Sequence, residues 1–402
     1  MADAVELPQR VRALILGAGI HGTAVAHDLA TRGWRDVHII EQHHIHKKAS
    51  SSSPVFIHDG FRFLQKIIEF DGISDDLQEC QLLMGLMSGL IQAMEFLIPI
   101  GSEDIRQRVW SKLSLLLYEA AAGRHRLAKH RCIKLSELAI KVPHLKRDQL
   151  LGAHSLWSCL VDEESLVKAV LQSAMSLGVT VSDLTEVERI EASADGWIAT
   201  IRSPNGAAKR LSALYVVNCL GARANQLLDS SGIAPTHRGL NLKTTQILLP
   251  NLGLNSGLYL PISKMERRGL SVFPWEGQTA LLSPVDFYAG DPGYARPTEV
   301  EVDQLISQLN QYLRVQVRRK DILSVRTRLN WATVHGGADL SSSSLVGERA
   351  SGRGLLLTVY DGQIVTFRAL AREVADRICT HFGEFRPSGT HSKAHWVTHN
   401  DA

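Results

Sequence analysis

The chain has 402 residues, with 44 Lys and Arg against 41 Asp and Glu, for a formal net charge of +3. Hydrophobic residues supply 45% and charged residues 21%, which is too apolar for a disordered chain. So small a basic excess lacks the stripe a dedicated nucleic-acid binder needs, and no nucleic-acid partner is expected. At roughly 150 residues per domain, the length implies two or three domains.

In chain order, the opening MADAVELPQR has no apolar secretory core. Val11–Leu16 reads as a short buried strand, followed at once by Gly17-Ala18-Gly19-Ile20-His21-Gly22. A helical run, Thr23–Thr31, ends before Gly33, and a second strand, Val37–Ile40, ends in Glu41. This is the strand, glycine turn, helix, strand and acid of a dinucleotide-binding unit. Gly17 permits the tight turn, Gly19 the approach of a pyrophosphate, and Gly22 the packing of helix on strand. The helix N-terminus offers its N–H groups to phosphate, and Glu41 is placed to accept from a ribose diol. NAD and FAD both satisfy this motif.

The next segments are less directly readable. His38, His43, His44 and His46 lack the carboxylates or thiolates of a closed metal site, so no metal is expected. Cys80–Met94 runs fifteen residues without a charge, short of the ~20 needed to span a bilayer. It reads as a buried or interfacial helix, with peripheral membrane contact the less favoured alternative. Arg124, His125, Arg126, Lys129, His130 and Arg131 form a local basic patch, read as a solvated face. Cys80, Cys132, Cys159, Cys219 and Cys379 are widely spaced without CxxC, which suits a reducing cytoplasm.

Farther on, Val187–Ile190, Ile198–Ile201 and Leu211–Val217 form a small β-meander leading to a Gly turn. Thr244–Leu249, Leu258–Pro261, Leu270–Phe273 and Ala280–Leu282 have the pattern of antiparallel strands. Val302, Leu305, Ile306, Leu309 and Leu313 share one face of a helix over 300–314. Strand Leu355–Val359, turn Tyr360-Asp361-Gly362 and a helix over 363–377 follow, and Arg386–Ala402 reads as a frayed tail.

Eight segments carry a family resemblance. After the Ser-rich stretch, His58-Asp59-Gly60-Phe61-Arg62-Phe63-Leu64 resembles the HGGLRYL of FAD-dependent glycerol-3-phosphate dehydrogenases. Leu115–Arg126 resembles LFLYDLLAGRRR, and Val161–Leu166 sits where that family has VDDARL. Val216–Gly221 (VVNCLG) is similar to VVNATG. Phe273–Gly277, Tyr288–Pro292 and Arg296–Glu299 are similar to PWEG, YxGDP and RPTE. Leu357–Arg368 (LTVYDGQIVTFR) looks like LTVAGGKLTTYR. The matches run in order from about residue 11 to 380.

The resemblance implies a D-amino-acid-oxidase-like flavoenzyme of the α/β class without that family's C-terminal helical domain. A Rossmann-type, glutathione-reductase-like FAD domain would comprise 1–79, 155–240 and 345–385. An α+β substrate domain built on an antiparallel sheet, with a helical insertion, would comprise 80–154 and 241–344. FAD would contact Gly17, Gly19, Ile20, His21, Gly22, Glu41, Gln42, Ser51, Ser52, Gly221, Asp361, Gly362, Gln363 and Ile364. The last helix would turn its positive end to the flavin. A hydride would pass from a CH–OH or CH–NH carbon of a small polar substrate to the flavin, with oxygen, a quinone or a protein as the final acceptor.

Departures cluster on the substrate side. Arg62 is kept, to anchor an anionic or polar group, and His58 matches the family histidine beside the flavin. The arginine of GxRPL is replaced by Asn330, with Arg328 two residues away, and the lysine of GGKLTTYR by Gln363. Losing two charged hydrogen bonds costs roughly 3–6 kcal/mol, or about 10²–10⁴ in rate. The chain is therefore not expected to be an ordinary glycerol-3-phosphate dehydrogenase. The alternative is a flavin-binding protein that has lost catalysis and serves as a structural or regulatory partner.

Overall fold

The computed structural model describes residues 7–45, 54–58, 73–102, 105–203, 206–262, 268–335, 339–341, 345–360 and 363–397. Two sheets organise them. The first places Leu345–Ser351, Gly354–Tyr360, Ala208–Asn218, Arg10–Leu16, Val37–Ile40 and Thr180–Ser182 side by side. From Gly354–Tyr360 onward every pairing in that order is parallel. A parallel sheet is covered on both faces, so its strands are continuously apolar, and Ala13 through Leu16 are fully buried.

Alternate residues feed two cores. Ala13, Ile15, Val217, Leu355 and Leu357 pack with the helices Ile20–Thr31, Glu163–Ser176 and Phe367–Phe382. Leu14, Leu16, Val216 and Leu356 pack with the meander Glu186–Ser193 and Gly196–Arg202 and the helix Ala224–Ser230. Gly33, at φ +86, ends the first helix as expected of a residue just past the C-cap.

The second sheet runs Asp339–Ser341, Ser324–His335, Gly239–Leu249, Gln278–Leu282, Gly269–Trp275, Gly257–Pro261, Ile91–Gly101, Leu150–Asp162 and Pro54–His58. Its pairings are antiparallel apart from Gly257–Pro261 on Ile91–Gly101, which is parallel. One face, with Ile247, Leu249, Leu258 and Leu270, lies under the helix Glu299–Tyr312. The other face carries Leu248, Phe273, Tyr259, Phe96 and Leu156 and packs against Ile73, Leu77, Leu115 and Tyr118 of two inserted helices.

The structure corrects several sequence expectations. Only the first part of Cys80–Met94 is helical. The helix Ile73–Leu86 stops before Gly89, at φ +93, and Ile91–Gly101 becomes a strand because it pairs along its length with Leu150–Asp162. Pro54–His58 and Leu150–Asp162 pair in the larger sheet, although the expected boundaries put residues 1–79 and 155–240 with the smaller one. The last helix begins at Phe367 with Thr366 as N-cap, four residues later than expected.

Residues 386–397 are also not frayed. They dock on the outer side of the first helix: His27 Nε2 bonds His395 O at 2.7 Å, and Gly389 N donates to Thr31 Oγ1 at 3.0 Å. Trp396 is buried, donates Nε1–H to Thr390 O at 2.9 Å, and meets the His27 ring edge-on. Arg32 sits beneath, paired with Asp28 at 2.5 Å and Asp376 at 2.6 Å. Residues 398–402 lie outside the described residues.

Candidate active site

The glycine turn is formed where the sheet demands it. Gly17 leaves Arg10–Leu16 at φ +97, and a Cβ there would stand 2.8 Å from Cys219 O. A Cβ on Gly22 would lie 1.9 Å from Gly17 O, so helix and strand approach as closely as backbone permits. Gly19 is the opposite case. It is the N-cap of Ile20–Thr31, no side chain caps it, and nothing lies within 4 Å of where its Cβ would be. Ile20 is buried and His21 half-buried in the first turn. Open space at an uncapped helix N-terminus is what a pyrophosphate requires.

Glu41 ends the second strand with both oxygens oriented by backbone, accepting from Ala18 N and His43 N at 2.9 Å each. Its carboxylate is thereby fixed at the mouth of the turn. Gln42 accepts from Arg223 Nη1, which ties this strand end to the Gly221 turn. That turn follows Asn218, whose Oδ1 accepts from Leu220 N and whose Nδ2 donates to Ala224 O. Gly221, at φ +55, is open on its Cβ side. Cys219 lies beneath, its thiol pushed far up by burial and so neutral.

Gln363 is half-buried and Ile364 buried, and Gln363 O accepts from Thr366 Oγ1 at 3.2 Å. Ser51, Ser52, Arg62, Asp361 and Gly362 lie outside the described residues. So does the His58 side chain, although the His58 backbone pairs with Cys159.

On the larger sheet, Asn330 pairs with Leu242, Arg328 with Thr244, and Arg326 with Gln246, so all six share one face. Gln246 donates to Pro54 O at 2.9 Å. Arg328 grips Glu163 with Nε and Nη2 at 2.9 and 3.1 Å, and Arg326 Nη1 reaches Glu164 at 3.0 Å. Both acids begin the helix Glu163–Ser176, capped by Asp162. This face therefore looks toward the glycine-turn sheet. The reverse face carries Lys243 and Thr245, which bond Glu301 of the covering helix.

A family model described as FAD dependent oxidoreductase matches residues 12–377. The chain belongs to that family. This oxidoreductase is 28% identical over 390 residues to D-erythritol 1-phosphate dehydrogenase of Brucella abortus (strain 2308), covering 96% of this chain and 76% of that one. It is 24% identical to aerobic glycerol-3-phosphate dehydrogenase of Escherichia coli (strain K12), covering 94% and 75%. The fold matches L-alpha-glycerophosphate oxidase from Mycoplasma pneumoniae, solved with FAD bound, at TM-score 0.74 and 14% identity over 97% and 99% of the two chains. It also matches glycerol-3-phosphate dehydrogenase from Bacillus halodurans, complexed with FAD, at TM-score 0.73 and 16% identity over 96% and 67%. Among the described residues of the oxidoreductase, no helix is long and apolar enough to cross a membrane.

FAD is the cofactor of this family, and the residues present fit it. The cradle is bare backbone at Gly17, Gly19 and Gly22, and the acid is already oriented at Glu41. Sequence reading missed the partners of the arginines in Arg326-Thr327-Arg328-Leu329-Asn330. The two-residue spacing places Arg326, Arg328 and Asn330 on one face, but Glu163 and Glu164 are more than 160 residues away. It also missed a ring cluster at the end of the parallel sheet, where Tyr360 meets His237 at 5.2 Å and Trp331 at 6.1 Å. In the basic patch Arg124, Lys129 and Arg131 are exposed, Arg131 bonding Glu137 at 2.7 Å, while His130 is drawn inward onto Glu119 at 3.0 Å. His38 is buried, its Nδ1 bonded to Thr180 Oγ1 at 2.7 Å.

Proposed function

We propose that this FAD-dependent oxidoreductase oxidises a CH–OH carbon of a small polyol-like substrate, and that it is not an ordinary glycerol-3-phosphate dehydrogenase. The family match over residues 12–377 carries the reading. The names of the two curated relatives, both dehydrogenases of polyol phosphates, favour CH–OH over CH–NH as the reacting carbon.

FAD, when bound, supplies the hydride acceptor. Gly17, Gly19, Ile20, His21 and Gly22 would hold its pyrophosphate, Glu41 and Gln42 its ribose, and Ser51, Ser52 and Gly221 the connecting chain. Asp361, Gly362, Gln363 and Ile364 would lie against its ring. Arg62 would anchor the substrate, Asn330 and Gln363 would form the wall beside it, and His58 would accept the hydroxyl proton on an imidazole nitrogen. The five cysteines are free thiols, which supports a cytoplasmic setting.

The test is anaerobic mixing of the holoenzyme with polyols, polyol phosphates, hydroxy acids and amines, followed at the flavin absorption bands. Bleaching by an alcohol is expected. Bleaching by amines alone, or by glycerol 3-phosphate at the rate of an ordinary dehydrogenase, would sink the reading. Reoxidation of the bleached enzyme by oxygen, a quinone or a carrier protein then identifies the acceptor.

A further inference from the structure

Among the described residues, the face of the larger sheet that looks toward the glycine-turn sheet carries Arg326 and Arg328, and each is paired with a carboxylate. The Arg328 guanidinium is engaged side-on by Glu163 at 2.9 and 3.1 Å, and Arg326 by Glu164 at 3.0 Å. Each partner is roughly a quarter to a half exposed, so these pairs do not lie deep within the core. Asn330 and Thr244, the half-buried neighbours on the same face, are neutral. A dianion arriving there would meet two carboxylates together with two guanidinium groups already paired with them. A hydroxyl group meets an amide and a hydroxyl, each able both to donate and to accept.

From this charge pattern we infer that the wall receives an uncharged, hydroxyl-bearing part of the substrate, and that the preferred substrate is a neutral polyol rather than its phosphate ester. The inference rests on the reading of the chain as an alcohol oxidoreductase. Glu163 acts here as a specificity residue: by holding Arg328, it keeps that guanidinium from serving as an anion site two residues from Asn330. A guanidinium that lost this partner would supply the bidentate donor a phosphate needs.

Ligand binding to the oxidised holoenzyme tests this without turnover, through perturbation of flavin fluorescence by glycerol, erythritol, glycerol 3-phosphate and inorganic phosphate. The wild type is expected to bind a neutral polyol at least about tenfold more tightly than its monophosphate, a ratio equal to about 1.4 kcal/mol. Glu163→Gln keeps the shape and removes the charge, and is expected to improve monophosphate binding roughly tenfold. Asn330→Arg should go further and reverse the preference. Tighter binding of the monophosphate by the wild type, or an unmoved ratio in Glu163→Gln, overturns the inference even if Asn330→Arg does not fold. The underlying reading fails separately, when no alcohol of either kind bleaches the flavin while the binding ratio still reports on the wall.

Discussion

Around Gly17–Gly22 the chain presents bare backbone, whereas around Asn330 it presents side chains whose charges are matched to one another. In the first region the missing Cβ atoms would be the recognition device, since Gly19 leaves open space and Gly22 lets the helix touch the turn. In the second, the device is the pairing of Arg326 and Arg328 with Glu164 and Glu163. A backbone cradle has one solution, while a wall of side chains can be recharged residue by residue.

The largest effect is expected where backbone is the device. Gly22→Val puts a branched side chain where even a Cβ would stand 1.9 Å from Gly17 O. Displacing turn from helix should weaken FAD binding by on the order of a hundredfold or more. The flavin-to-protein absorbance ratio of the purified variant measures this, and stoichiometric flavin would show that Gly17–Gly22 is not the cradle.

Next in size is the support behind that cradle. Trp396→Ala removes a buried ring that packs on His27 at 4.3 Å, and is expected to cost about 3–5 kcal/mol in denaturant unfolding. His27 adds a pH dependence of similar origin. Burial lowers its pKa from 6.5 to about 4, because the charged ring would lose water and gain only the His395 carbonyl in return. The folded form thus stays neutral where the unfolded chain takes up a proton. Stability is full above pH 6.5 and falls as pH drops toward about 4, by roughly 3 kcal/mol for this one group. His27→Gln should flatten that part of the stability profile. An equally steep loss in the variant would place the acid sensitivity elsewhere, with His38 and His154, also lowered to about 4 by burial, the next groups to examine.

The same contrast governs what the sequence made legible. The glycine turn, its helix and Glu41 lie within about thirty consecutive residues, and each has a fixed local task, so spacing alone located them. The meander and the helix bearing Val302, Leu305, Ile306 and Leu309 were legible for the same reason, because their periodicity is local. Three features were not. Ile91–Gly101 is apolar enough for helix or strand, and only its pairing with Leu150–Asp162 decides. Residues 386–397 are short of apolar residues, yet Trp396 finds a site on a helix over 360 positions earlier. The partners of Arg326 and Arg328 come from a helix on a different sheet, more than 160 residues away. Long-range pairing, not composition, was missing in each case.

The smallest predicted effect lies on the reverse side of the wall. Thr298 caps the helix Glu299–Tyr312, with Oγ1 accepting from Glu301 N at 3.2 Å while the Glu301 carboxylate accepts from Thr298 N at 3.3 Å. Glu301 has other fixed partners, since Lys243 Nζ lies 2.6 Å away and Thr245 donates to it as well. Those contacts hold its pKa down against the opposing effect of burial. Thr298→Ala therefore removes one capping bond without releasing the carboxylate, and should cost about 1 kcal/mol. Lys243 and Thr245 point away from Asn330, on the opposite face of the same strands. Flavin content and the polyol-to-phosphate binding ratio should accordingly stay at their wild-type values while the unfolding midpoint falls. A ratio that moved with this cap would mean the two faces of the sheet are not independent, and that the charge pattern beside Asn330 is set by the helix behind it.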